Sequence, residues 1–242
     1  VALGLWTAAL PACAAVFADF DPDHGSSDFR WVRDATTGTG GALFSIMSGS
    51  DTSAHGVATH FTFLDPALAA LVFLPATFTL SATVASPTPA IDDGGGMFTQ
   101  NGVTGSFSFI YSGATTVIDG HTLTHGVTNL LSGVFTDAWM QGAGNSGSAN
   151  LSAPTGSATY ASDLENLVSV APSSEAFAFN LLDVSPGFGA PAGKALNSFV
   201  ANGGGNFSAV PIPEPTAWMM MIAGFGGLGA ALRVRRRKVQ TA

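Results

Sequence analysis

The residues best suited to chemistry are carboxylates and histidines, and spacing limits what each could do. Asp19-Phe20-Asp21-Pro22-Asp23-His24-Gly25 sets oxygen ligands at alternate positions, like the opening of a calcium loop. An EF-hand needs glycine sixth and a bidentate carboxylate twelfth; those positions hold His24 and Arg30, so that motif is excluded. A looser calcium site completed by Asp28 or Asp34 stays open, beside the plainer reading of a solvated acidic arm. Asp92-Asp93, followed by three glycines, is a second oxygen-rich turn. His121 and His125 would share one face of a helix and could chelate zinc there. The preceding Asp119-Gly120 instead favours a tight hairpin, and on a strand residues four apart lie about 13 Å from each other. They read as surface histidines, as do His55 and His60. There is no Gly-x-Ser-x-Gly elbow, no phosphate-cradling loop and no dinucleotide fingerprint. Five His and many Ser leave a Ser-His-Asp triad open in composition, but nothing positions one. Glu165 and Glu175 could join a glycosidase-type carboxylate pair, as could carboxylates in any acidic chain. Trp31 and Trp139 could line a sugar platform or fill a core. No catalytic residue, metal ligand or cofactor is assigned.

The elements that would carry these residues read as strands. Ser106-Phe107-Ser108-Phe109 puts both rings on one face and both hydroxyls on the other. His60-Phe61-Thr62-Phe63, Thr77-Phe78-Thr79-Leu80 and Ala176-Phe177-Ala178-Phe179 repeat the pattern. Residues 115–118 and 121–124 flank the Asp119-Gly120 hairpin signal. Gly, Ser, Asn and Asp clusters at 48–53, 92–96, 142–148 and 202–206 cut the chain into short segments. About ten such strands predict an all-β body, a β-sandwich or jelly roll, with short helical pieces near 65–73 and 162–167.

Charge is distributed very unevenly over the 242 residues, which carry 8 Lys+Arg, 16 Asp+Glu and one Cys. Arg233, Arg235, Arg236, Arg237 and Lys238 crowd the last ten positions, and every carboxylate lies between Asp19 and Glu214. The stretch 16–217 therefore holds three cations against sixteen carboxylates, a balance that argues against nucleic acid as a partner. One cysteine excludes an internal disulfide and a Cys-based zinc site. Residues 217–232 (AWMMMIAGFGGLGAAL) contain no charge. As a helix they span about 24 Å, close enough to a ~30 Å hydrocarbon core for snorkelling arginines and local thinning to close the gap. The positive-inside rule keeps the basic end cytoplasmic and exports the body. At the other terminus, 1–10 (VALGLWTAAL), Pro11 and the small residues 12–15 read as the apolar core and cleavage site of a truncated signal peptide, cut after Ala14 or Ala15. Leu10-Pro11-Ala12-Cys13 only loosely matches a lipoprotein box.

At 210–216 the chain reads VPIPEPT, followed by Ala217-Trp218, the apolar run and RVRRRK. This resembles the PEP-CTERM sorting signal of Gram-negative bacteria in its PEPxxWA variant. Pro213, Glu214 and Pro215 match the motif core and Trp218 its aromatic position, while Met219 stands where that variant has Ala. The resemblance covers residues 210–238. It implies export, recognition by the membrane enzyme exosortase and cleavage near the motif, in bacteria that make exopolysaccharide and form biofilms or flocs. The resulting expectation has four parts: a signal peptide (1–15), an exported domain (16–200), a Gly/Pro linker (201–212) and a sorting signal (213–238) with a transmembrane helix over 217–232. The linker, reaching about 35 Å from Gly203 to Pro213, would hold the domain off the bilayer. The expected role is that of a non-enzymatic cell-surface or matrix protein, tethered to the inner membrane as a precursor. A carbohydrate- or calcium-dependent adhesin and an exported hydrolase are the rivals, and exopolysaccharide is the candidate ligand.

Overall fold

The computed structural model describes residues 14–22, 27–164 and 174–210. Eight antiparallel lines of chain form one wall. The first is β1 (Ala15–Pro22) continued by β2 (Phe29–Arg33), and the second is β3 (Gly41–Ser45) continued by β4 (Val57–Phe63). The third is β5 (Leu74–Val84), entered through a short 3₁₀ turn (Pro66–Leu68) capped by Asp65. A two-residue β6 (Ile91–Asp92) leads to the fourth, β7 (Met97–Tyr111). A hairpin of β8 (Thr116–Ile118) and β9 (His121–Leu123) precedes the fifth, β10 (Asn129–Ala143). The sixth is β11 (Ser148–Ala153) with β12 (Ala158–Ala161), the seventh β13 (Ala176–Ser185), and the eighth β14 (Phe199–Asn202) with β15 (Gly205–Ala209).

Each line pairs with the next, and the last returns to the first. The ladders β5–β7, β7–β10 and β13–β15 continue the meander. Closure comes from Ala15 opposite Ala209 and Phe20 opposite Gly205, and farther along from Phe29 opposite Ala201 and Trp31 opposite Phe199. The fold is therefore an up-and-down barrel, a sheet with no free edge along its main ladder. The all-β expectation holds, but the sandwich or jelly roll gives way to one closed sheet. Alternation marks which face is buried, and a closed ring satisfies that pattern as well as two facing sheets do.

The bore is filled. In β4, β5, β7 and β13 the aromatic positions of the alternating segments all turn inward, and Phe61, Phe78, Phe107, Phe109, Phe177 and Phe179 are buried. Rings from opposite walls touch: Phe107 of the fourth line lies 5.1 Å from Phe207 of the eighth, and Phe20 lies 4.9 Å from Phe109. Burying each such ring contributes about 1.5–3 kcal/mol, with further gain from edge-to-face geometry. Outward positions on β5 are Thr77, Thr79, Ser81 and Thr83, the reverse of the apolar band a lipid-crossing barrel presents. At the end away from the termini, Trp31 Nε1–H donates to the Leu196 carbonyl (3.0 Å), and Gln100 binds both the Thr88 carbonyl and the Leu196 N–H.

Four lines are broken, and in three of them side chains repair the gaps. Where β3 leaves β5 and β4 takes over, the Ser45 hydroxyl accepts from the Leu80 N–H (2.9 Å) and donates to the His55 carbonyl (2.6 Å). Between β14 and β15, Gly203 comes so near the Asn180 carbonyl that a Cβ would collide with it. The Gly203 N–H, left without a strand partner, donates to the carboxylate of buried Asp28 across the matching break between β1 and β2.

Over residues 201–209 the expected linker (201–212) is corrected by this arrangement. Residues 199–209 are the barrel's closing line, with Ala201 and Phe207 fully buried. Glycine-rich composition here reflects close approach: a Cβ on Gly205 would meet Phe20 and Phe179. The 3₁₀ turn and the β8–β9 hairpin fall where the sequence put helical and hairpin signals, and Asp119 and Gly120 both have positive φ (49° and 82°). Among the described residues no helix is long and apolar enough to cross a membrane. The expected signal-peptide segment before Ala14, the second half of the helical piece expected at 162–167 and the span at 217–232 lie outside the described residues.

Candidate functional site

Two places in the chain have functional geometry. The first is the exit of the C-terminus. Phe207 and Ala209 point inward, and the Val210 N–H donates to the Ser174 hydroxyl (3.1 Å), so the chain is pinned to the wall up to its last described residue. Three residues later comes Pro213. Pro213, Glu214, Pro215 and Trp218, and the cations Arg233, Arg235, Arg236, Arg237 and Lys238, lie outside the described residues. Since Ala15 pairs with Ala209, the start of the body and the root of the sorting segment share one end of the barrel.

The second is an open groove of about 890 Å³ on the outer face of β4, β1, β15 and β13. Alternation along β1 points Asp19 and Asp21 outward, and pairing sets Asp19 between Thr62 and Asn206 and Asp21 beside His60. Asn180 lines the same groove from β13. Partial burial pushes the Asp19 carboxyl above its ordinary range, a Thr62 hydrogen bond opposes this, and the Asp21 charge adds to the rise. Phe73 stands at one side with φ 51° and 73% exposure, its ring edge-on to His60 at 6.5 Å. Carboxylates and carboxamides beside an exposed ring can hydrogen-bond hydroxyls while the ring covers an apolar C–H face. Sequence reading singled out Asp19 and Asp21 for a different chemistry. It missed the groove because the four walls come from strands far apart in the chain; only the outward alternation of polar residues on β1 and β4 hinted at it.

The remaining candidates disperse. Asp28 turns to the Gly203 N–H, and burial pushes its carboxyl up to about 6. Asp34 is exposed and held below its usual range by the hydroxyl and N–H of Thr37 and the N–H of Thr36. Asp92 and Asp93 accept from the N–H groups of Gly94 and Gly95 in turns of their own. Among the described residues no three His, Cys, Asp or Glu side chains group as metal ligands. His121 sits on β9, whereas His125 follows it with Nδ1 2.9 Å from the Ser112 carbonyl. Trp31 is core, and Trp139 faces outward from β10, half-buried opposite Ser152 and away from the groove. Glu175 is buried, its carboxylate accepting from the Ser174 N–H, while Glu165 lies outside the described residues.

Residues 211–237 match the family model of the PEP-CTERM protein-sorting motif. That match begins directly after the last described residue and confirms the sorting-signal resemblance in the C-terminal segment. No curated protein and no solved structure matches the chain.

Proposed function

With the sorting motif as premise, we propose that this chain is an exported surface protein whose barrel is delivered to the envelope, processed by an exosortase-type enzyme, and retained as a non-enzymatic component of an exopolysaccharide-associated matrix. The motif itself implies export through such a system and a membrane-anchored precursor. One observation carries the reading further: the motif follows at once on the strand that closes the barrel, so a cut near Pro213-Glu214-Pro215 would free an intact fold. The Phe-filled bore and the hydroxylated exterior suit a structural role. The test is the mass of the protein recovered from its own cells, with the exosortase gene intact and deleted. We expect a product beginning at residue 15 or 16 and ending near residue 214, with the tail kept in the deletion strain. Retention of residues beyond Trp218 in both strains would refute processing.

Carbohydrate binding is a second reading, favoured by the groove bearing Asp19, Asp21, Asn180 and Phe73. Titration calorimetry with polysaccharide from the producing cells should show heat that Asp21→Ala abolishes. No heat, with or without calcium, would dismiss it.

A further inference from the structure

We propose that the barrel end carrying both termini is a membrane-seating surface: in the precursor its apolar loop tips rest in the interfacial layer of the bilayer into which the tail is anchored. The proposal rests on the sorting reading and adds an orientation and a lipid contact to it.

Chain direction places the surface. Counting from Ala15, the lines alternate so that segments 64–73 and 112–128 connect strands at the same end as Ala15 and Ala209. Among the described residues ten large hydrophobic side chains are exposed, and six of them belong to segments at this end: Val16, Leu64, Val72, Phe73, Val117 and Val127, of which Val16, Leu64 and Phe73 also line the groove. Val117 is 64% exposed on the β8–β9 hairpin, Val127 is 68% exposed in the turn after it, and Phe73 is 73% exposed. Exposed apolar side chains concentrated at one end call for a covering partner. The opposite end differs, with Arg33, Asp34, Asp92, Asp93 and Lys194 among its loops.

The chain beyond residue 210 names the occupant. Seven Cα–Cα steps separate Val210 from Ala217, where the uncharged run begins, so the tether reaches at most about 25 Å. The headgroup layer, ~5–8 Å deep on each side, takes up a fifth to a third of that distance, which keeps the barrel end within about 20 Å of the bilayer surface. Because Phe199–Asn202 and Gly205–Ala209 are wall and not linker, the barrel cannot stand off from lipid as a long spacer would allow. Tethering raises the local concentration of the tips at the surface to the millimolar range, so weak insertion suffices. The described charges at this end include Asp65, Asp119 and Asp163, with no Lys or Arg. Asp65 and Asp163 already accept from the N–H groups of Ala67 and Asn129. A net negative rim selects a zwitterionic surface over an anionic one.

The test uses the full chain with Cys13→Ser, reconstituted in phosphatidylcholine nanodiscs with brominated acyl chains. Single fluorophores are placed through Val117→Cys, Ile91→Cys or Phe225→Cys. Quenching of the Phe225 site reports tail insertion, and the Val117 site should be quenched roughly two-fold, as a group seated at the acyl boundary would be. The Ile91 site, at the far end, should keep its intensity. Adding Phe73→Ser and Val127→Ser should restore more than half of the lost signal at Val117 while the Phe225 site stays quenched. A bright Val117 site beside a quenched Phe225 site overturns the seating and leaves the sorting reading standing. So does equal quenching at Val117 and Ile91, or quenching indifferent to the double substitution. An unquenched Phe225 site removes the membrane-anchored precursor on which the reading rests, and the proposal with it.

Discussion

Replacing Asp28 by Asn should stabilise the protein at neutral pH and leave it unchanged in acid. The Asp28 carboxyl is pushed from 3.8 up to about 6 by burial, against the single Gly203 N–H that favours its charged form. In the unfolded chain it ionises near 3.8. Between these values the folded state binds more protons than the unfolded state, so stability falls as pH rises through about 4 to 6 and stays at its lower level above that window. At about 1.4 kcal/mol per pH unit, the full shift corresponds to about 3 kcal/mol. The carboxyl is only part-way into the wall, and screening there reduces the effect to about 1–2 kcal/mol. Asn keeps an oxygen for the Gly203 N–H and carries no charge. For a chain of this size, Asp28→Asn should raise Tm by about 3–6 °C at pH 7.5 and by almost nothing near pH 3.5. The assay is thermal unfolding followed by the near-ultraviolet ellipticity of buried Trp31, comparing both chains across pH. Taking the difference between the two chains removes the contributions of Asp19 and Asp34. An equal gain at both pH values, or a loss at pH 7.5, would refute the burial argument.

Two further substitutions test the wall and the core. Ser45→Ala strands the Leu80 N–H and the His55 carbonyl at the junction of β3 and β4 and should cost about 2–3 kcal/mol in urea unfolding. A cost under about 0.5 kcal/mol would mean that water replaces the hydroxyl. Phe109→Ala removes a ring that packs on Phe20, Phe61, Phe78 and Phe207 and should cost about 3–5 kcal/mol, read from the same midpoints.

Strand character was legible because Ser-Phe-Ser-Phe at 106–109 and Ala-Phe-Ala-Phe at 176–179 encode which face is buried, and the hairpin because Asp119-Gly120 encodes its backbone. The ring was not legible, since alternation is local and closure depends on Ala15 meeting Ala209 across nearly the whole chain. The last strand was hidden for a physical reason: Gly203, Gly204 and Gly205 look like linker, yet two of them are glycine because backbone and rings approach too closely for a Cβ. The groove needed the same long-range pairing, which brings Asp19 against Asn206. The sorting motif was fully legible, because a sequential signal has no tertiary part to hide.

Pairing the first line with the eighth also sets an order of events. A chain threading outward amino end first leaves β1 and β13 with bare hydrogen-bonding edges until residues 199–209 have crossed. By then the uncharged run is only a few residues behind, so in an exported chain closure of the barrel would coincide with the arrival of that run. A product truncated before Ala209 would lack both the closing stave and the sorting motif.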